Sequence, residues 1–182
     1  MSAIPTLPQK RLPFGDLAPV LRPIIERFAR DLALPAQARI LEAGSSGGLL
    51  TALLSETDLA PQIAVVDFAD PSPDTLESAI ARSAHAPWRA HFLNVPVHHL
   101  ARQAVYHLVL TWSLLRDSRA VQAVHQLQRR PGWLMAFHDP PDAPGATPLA
   151  FHLHPHQPLA SAAYAVSGGR QPKSASLWTS RP

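Results

Sequence analysis

A five-residue turn, Gly44-Ser45-Ser46-Gly47-Gly48, comes directly after a short apolar run, Ile40-Leu41, and the acid Glu42. Leu49-Leu50 and Leu53-Leu54 follow it at once. The order is strand, tight glycine turn, helix start, a geometry that brings backbone N–H groups and a helix N-terminus close to a ligand. The same residues would also serve a turn that only joins a strand to a helix. Further along, His138-Asp139 puts an imidazole beside a carboxylate, the combination that tunes a histidine near neutral pH for proton transfer. Adjacent residues of a strand point to opposite faces, so one member of that pair at most is expected to see a common site. His152, His154 and His156 alternate in HLHPH and could share one face of an extended segment as metal ligands. With no acidic or cysteine partner nearby, a solvated His-rich loop is the better reading, and no metal is expected.

These groups need elements to position them. Residues 1–14 hold Pro5, Pro8 and Pro13 without periodicity and are expected to form an extended arm, with one domain over 15–182. Asp16 can cap a helix whose apolar face is Leu17, Val20-Leu21, Ile24-Ile25, Phe28 and Leu32, a 3.6-residue period. Pro19 suits its first turn, Pro23 is expected to kink it or mark its true start, and Pro35 closes it. Strands are predicted over 39–43, 62–67, 89–93, 107–111 and 133–138. Helical patterns lie between them over 47–56, from Pro73 onward, over 97–103 as a short helix, and through Val121, Val124 and Leu127. Alternation at that spacing means βαβ units and a right-handed, mainly parallel sheet with helices on both faces. Ligands of such sheets bind outside the carboxyl ends of the strands. Asp67, Asn94, Thr111 and His138 fall at those predicted ends, which argues for a single site there. Residues 139–160 are Pro- and His-rich and show no amphipathic period. After them, 162–166 and 174–179, separated by SGGRQPK, read as an antiparallel hairpin.

Composition narrows the function classes. With 182 residues, 46% hydrophobic and 16% charged, the chain has the makeup of one globular domain rather than a disordered one. The formal charge is +3, and the nearest approach to a basic block is Lys10-Arg11 or Arg129-Arg130, so nucleic-acid binding is not required. The absence of cysteine excludes disulfides, thiolate metal sites and a cysteine nucleophile. No run reaches the roughly 18 apolar residues of a membrane span, and the first residues are too polar and Pro-rich for a secretory segment. A soluble, cytoplasmic protein is the expectation.

The stretch ARILEAGSSGG resembles motif I of the class I S-adenosylmethionine-dependent methyltransferases, with Glu42, Gly44 and Gly48 in the places of its acid and its first and last small residues. IAVVD, ending at Asp67, resembles the second strand; HFLN resembles the end of the third, YHLVL the fourth, and RPGWL the turn into the fifth. The likeness covers about residues 14–139 and is nearest the small-molecule branch that includes trans-aconitate and malonyl-carrier-protein methyltransferases. It implies a doubly wound Rossmann-like α/β sheet, S-adenosylmethionine as cofactor, and methyl transfer to a small-molecule or carrier-linked acceptor. Gly44 would let the backbone approach the cofactor's carboxypropyl part, with Glu42, Ser46, Gly48 and Thr111 around it. Asp67 would accept hydrogen bonds from the ribose hydroxyls. Phe68 would lie on the adenine face or in the core, and Asn94 would accept from the adenine amino group. His138 or Asp139 would serve as base, and Trp112 and Ser113 would line the acceptor pocket or pack in the core.

The chain departs from the family pattern in three places. Ser46 replaces the usual middle glycine, and its Cβ could crowd the cofactor. His107 stands where an acid often opens the fourth strand. The segment after Asp139 is short for an acceptor cover, which implies a homo- or hetero-oligomeric partner closing the pocket near 140–158. Two other readings stay open: a dinucleotide-binding oxidoreductase, which the position of Glu42 before the glycines disfavours, and a methyltransferase-like subunit that has lost catalysis and serves as a scaffold.

Overall fold

Seven strands make one sheet in the order β3-β2-β1-β4-β5-β7-β6 in this computed structural model. It describes residues 17–44, 46–101, 103–112, 114, 117–138, 157–164 and 173–180. The strands are β1 (Ala38–Gly44), β2 (Ile63–Ala69), β3 (Arg89–Leu93), β4 (Tyr106–Trp112), β5 (Gln128–His138), β6 (Gln157–Tyr164) and β7 (Lys173–Ser180). β1 to β5 run parallel, with Leu41 opposite both Asp67 and Val109 in the centre of the sheet. β7 lies antiparallel to β5, and β6 antiparallel to β7. The link between β6 and β7, like residues 1–16 and 139–156, lies outside the described residues.

The apolar stripes read from the sequence decide which way the helices face. α1 (Ala18–Asp31) buries Leu21, Ile24, Ile25 and Phe28, spaced as one face of a helix. Its N-cap is Leu17, which makes no side-chain capping bond, and Pro23 lies inside the helix rather than at its start. α1, α2 (Leu49–Leu54) and α3 (Pro73–Ser83) share a core with Ile40, Val66, Phe68, Leu108 and Leu110 on one face of the sheet. α4 (Ser118–Leu127) packs Val121, Val124 and Leu127 against Leu41, Val109 and Leu134 on the other. Ser72 caps α3 by accepting from the Thr75 N–H at 3.4 Å, with Pro73 next in its first turn. Asp117 caps α4 through the Arg119 N–H at 2.9 Å.

Two differences from the sequence reading affect the site. β2 runs two residues beyond Asp67, through Phe68 and Ala69. The crossover from β3 to β4, expected to carry a short helix over 97–103, has only the 3-10 turn Val97–His99 among its described residues. Among the described residues, one face of the sheet carries fewer helices than the other.

Candidate functional site

The glycine turn sits at the carboxyl end of β1 and is shaped by three positive φ angles, at Gly44 (98°), Gly47 (57°) and Gly48 (80°). An added Cβ on Gly44 would stand 2.4 Å from the Trp112 carbonyl oxygen, and on Gly48 3.0 Å from Ala79 Cα. The glycines therefore let β1 approach β4, and α2 approach α3, as well as setting the turn. Glu42, 2% exposed, points under the turn. Its carboxylate accepts from the Thr51 N–H at 2.8 Å and from the hydroxyls of Thr51 and Ser46. The acid thus ties the loop to the first turn of α2, where a negative charge is favourable. Ser46 is fully buried, and its hydroxyl bonds to Glu42, so its Cβ does not crowd the cleft.

The cleft below this turn is lined by Glu42, Gly44, Gly47, Gly48, Phe68 and Asp70 on the strand side and closed by α3, and it is narrow, with a volume of about 10 Å³. Asp70 is the carboxylate that the sequence reading missed. It stands one residue past β2, is 6% exposed, and its Oδ1 accepts from the Ser72 N–H at 2.8 Å. Burial pushes its carboxyl above the usual acid range, and the Ser72 bond offsets part of that rise. Asn94 donates its amide to the Asp70 carbonyl at 3.3 Å, which leaves the Asn94 carbonyl oxygen as an acceptor beside the same strand end. Phe68 lines the cleft and stacks on Phe92, with centroids 5.3 Å apart. Thr111 is buried on β4 beside Ala43 and Ala136, and its hydroxyl has no hydrogen-bond partner among the described residues.

Asp67 does not join this cleft. Successive strand residues face opposite ways, and with Phe68 in the core on one face Asp67 points to the other. There its carboxylate, 1% exposed, is fully engaged. Oδ2 accepts from Arg39 Nε at 3.0 Å, Arg39 Nη2 at 2.6 Å and the Tyr106 hydroxyl at 2.6 Å, and Oδ1 meets His91 Nδ1 at 2.7 Å. Burial, and then the Asp67 charge it donates to, push the Tyr106 hydroxyl well above its ordinary pKa. The guanidinium of Arg39 lies 5.3 Å from the Tyr106 ring centroid. His138 ends β5 opposite Ser174, and Asp139 lies outside the described residues. Trp112 packs in the core and stacks on Phe137 at 5.8 Å. His107 accepts from the Arg39 N–H at 3.0 Å through Nδ1, at a register shift near the start of β4. No cluster of three or more potential metal ligands occurs among the described residues, and His152, His154 and His156 are not among them.

The signal that would have found Asp70 is in the sequence. The apolar run Ile63 to Val66 resumes after Asp67 with Phe68-Ala69, and Ser72-Pro73 is a helix-start pair that leaves only Asp70-Pro71 for the turn. Reading the first acid as the strand end placed that end two residues early.

No family model matches the chain, and no curated protein does. Solved structures do. The N-methyltransferase NodS from Bradyrhizobium japonicum superposes with a TM-score of 0.72 at 13% identity, over 94% of this chain and 99% of that one. A Burkholderia thailandensis 1,6-didemethyltoxoflavin-N1-methyltransferase, solved with its substrate and S-adenosylhomocysteine, gives 0.70 at 17% identity over 100% and 94%. The [4+2]-cyclase SpnF gives 0.67 at 12% identity over 88% and 80%. The protein has the fold of the class I S-adenosylmethionine-dependent methyltransferases.

Proposed function

We propose that the protein is an S-adenosylmethionine-dependent methyltransferase acting on a small-molecule or carrier-linked acceptor. The observation that carries this is Asp70. It is a buried carboxylate at the end of β2 with a single hydrogen bond on Oδ1, beside a glycine turn held in shape by Glu42. A carboxylate under-solvated in this way is suited to accept two hydroxyl hydrogen bonds, which the ribose of the cofactor offers. Gly44, Gly47 and Gly48 would border the methionine part, and the Asn94 carbonyl and Phe68 the adenine side. Glu42 lines the cleft and, with Ser46 and Thr51, holds the turn. Asp70 takes the role that the sequence reading gave to Asp67.

The bound cofactor brings the methyl group and its own leaving group, so the chain's share is orientation, exclusion of water and any proton acceptance. His138, at the end of β5, and Asp139 after it remain the candidates for the base. About 10 Å³ is far below the 300 Å³ or more typical of a cofactor site, so the cleft must widen and gain further walls to take one. A second chain laid over this end of the sheet would supply them. That cover is also where the scaffold reading and the enzyme reading part.

Calorimetric titration with S-adenosylhomocysteine tests the proposal. Micromolar affinity is expected, and Asp70→Ala should weaken it by about 1.5–3 kcal/mol, the worth of hydrogen bonds to a charged group. Absence of binding by the wild-type protein refutes the reading. Because one structural neighbour is a cyclase, methyl transfer itself needs measuring, with labelled cofactor and a panel of carboxylate, hydroxyl, amine and carrier-linked acceptors.

A further inference from the structure

On the face of the sheet opposite α1, α2 and α3, a second cavity of about 240 Å³ opens beside the β3-to-β4 crossover. It shares no lining residue with the glycine cleft. Its floor is the Asp67 cluster: Arg39, His91 and Tyr106 all line the cavity while bonding to Asp67. Its wall is apolar, formed by Leu93, Leu100 and Val105.

The floor is a set of donors aimed outward by one buried acceptor. Asp67 is acceptor-only as a carboxylate, so His91 faces it with an Nδ1–H and turns Nε2 away from it. The His91 side chain is 53% exposed, so that second nitrogen is open to a ligand. Arg39 spends Nε and one Nη2 hydrogen on Asp67, and its Nη1 edge is unpaired among the described residues, with the side chain 41% exposed. Asp67 neutralises one positive charge. Arg39, always charged, presents its outward N–H edge beside the exposed His91 ring at the foot of an apolar wall. Asp67 is the only acid lining the cavity among the described residues.

We propose that this cavity is a binding site for a small organic carboxylate, its oxygens on Arg39 and His91 and its hydrocarbon body on Leu93, Leu100 and Val105. A guanidinium edge suits a planar carboxylate, and a wall of this size suits a compact apolar body. The site is independent of the cofactor reading and stands or falls without it.

Benzoate and its neutral isostere benzamide are the probes, followed through the His91 ring signals in ¹H–¹⁵N spectra of the full chain. Benzoate should shift the His91 signals saturably, and benzamide should not. His91→Gln can still donate to Asp67 while removing the outward nitrogen, and should weaken benzoate by about tenfold, the loss of one charge-assisted hydrogen bond. Leu100→Glu places a like charge at the half-exposed wall and should abolish binding while the far-UV spectrum stays native. Should His91→Gln fail to fold, the wild-type ring shifts and Leu100→Glu still decide. No saturable shift of His91, an equal response to benzamide, or binding unchanged in Leu100→Glu overturns the proposal.

Discussion

Two aspartates three residues apart, Asp67 within β2 and Asp70 just past its end, illustrate what decides a carboxylate's role. Asp67 has four donors and contributes to stability; Asp70 has one and is held at a cost. Asp67→Ala should destabilise the protein by about 1–3 kcal/mol in chemical denaturation, because the buried Tyr106 hydroxyl loses its acceptor. Asp70→Asn should do the reverse. The folded-state pKa of Asp70 is raised, so folding opposes its ionisation, and the penalty is fully present at neutral pH. The amide removes that penalty and keeps an oxygen for the Ser72 N–H. A higher Tm together with weakened S-adenosylhomocysteine binding is expected, and a lower Tm would show that Asp70 is structural. Residue type made neither role legible. The partners of Asp67 lie 24, 28 and 39 residues away and meet it only through the parallel register.

At the level of elements, the parallel alternation was readable because each helix has one apolar stripe and each strand a run of buried side chains. Strand ends were less so, since the polar residue that stops a pattern can be one that the fold buries. The β1–β4 contact shows the constraint on Gly44. An alanine or valine there meets the Trp112 carbonyl at 2.4 Å with φ at 98°. Gly44→Val should therefore lower stability by about 2 kcal/mol or more, and not merely block a ligand. Thermal unfolding of the apo protein measures this; an unchanged Tm with lost binding would mean that the strands part easily. The same pair of strands carries a pH sensor. Burial, and then the nearby Arg129 charge, lower the His107 pKa below 6.5. The unfolded chain then binds the proton more readily, so stability is full above 6.5 and declines as pH falls through the window below it. His107→Gln should flatten that decline in denaturant titrations from neutral to mildly acidic pH.

At the scale of the whole molecule, the sheet has two unlike faces. Among the described residues, one is packed under three helices and ends at the glycine cleft; the other has a single helix and an open cavity over the Asp67 cluster. The sequence showed helices on both sides but not this inequality, because a crossover of ordinary length gives no sign of how little helix it will hold. No helix among the described residues is long and apolar enough to cross a membrane. The bonds from Glu42 to Ser46 and Thr51 lead to one further consequence. A loop fastened from beneath has already surrendered its freedom before any ligand arrives. Association at the cleft would thus meet little ordering cost in the cradle itself.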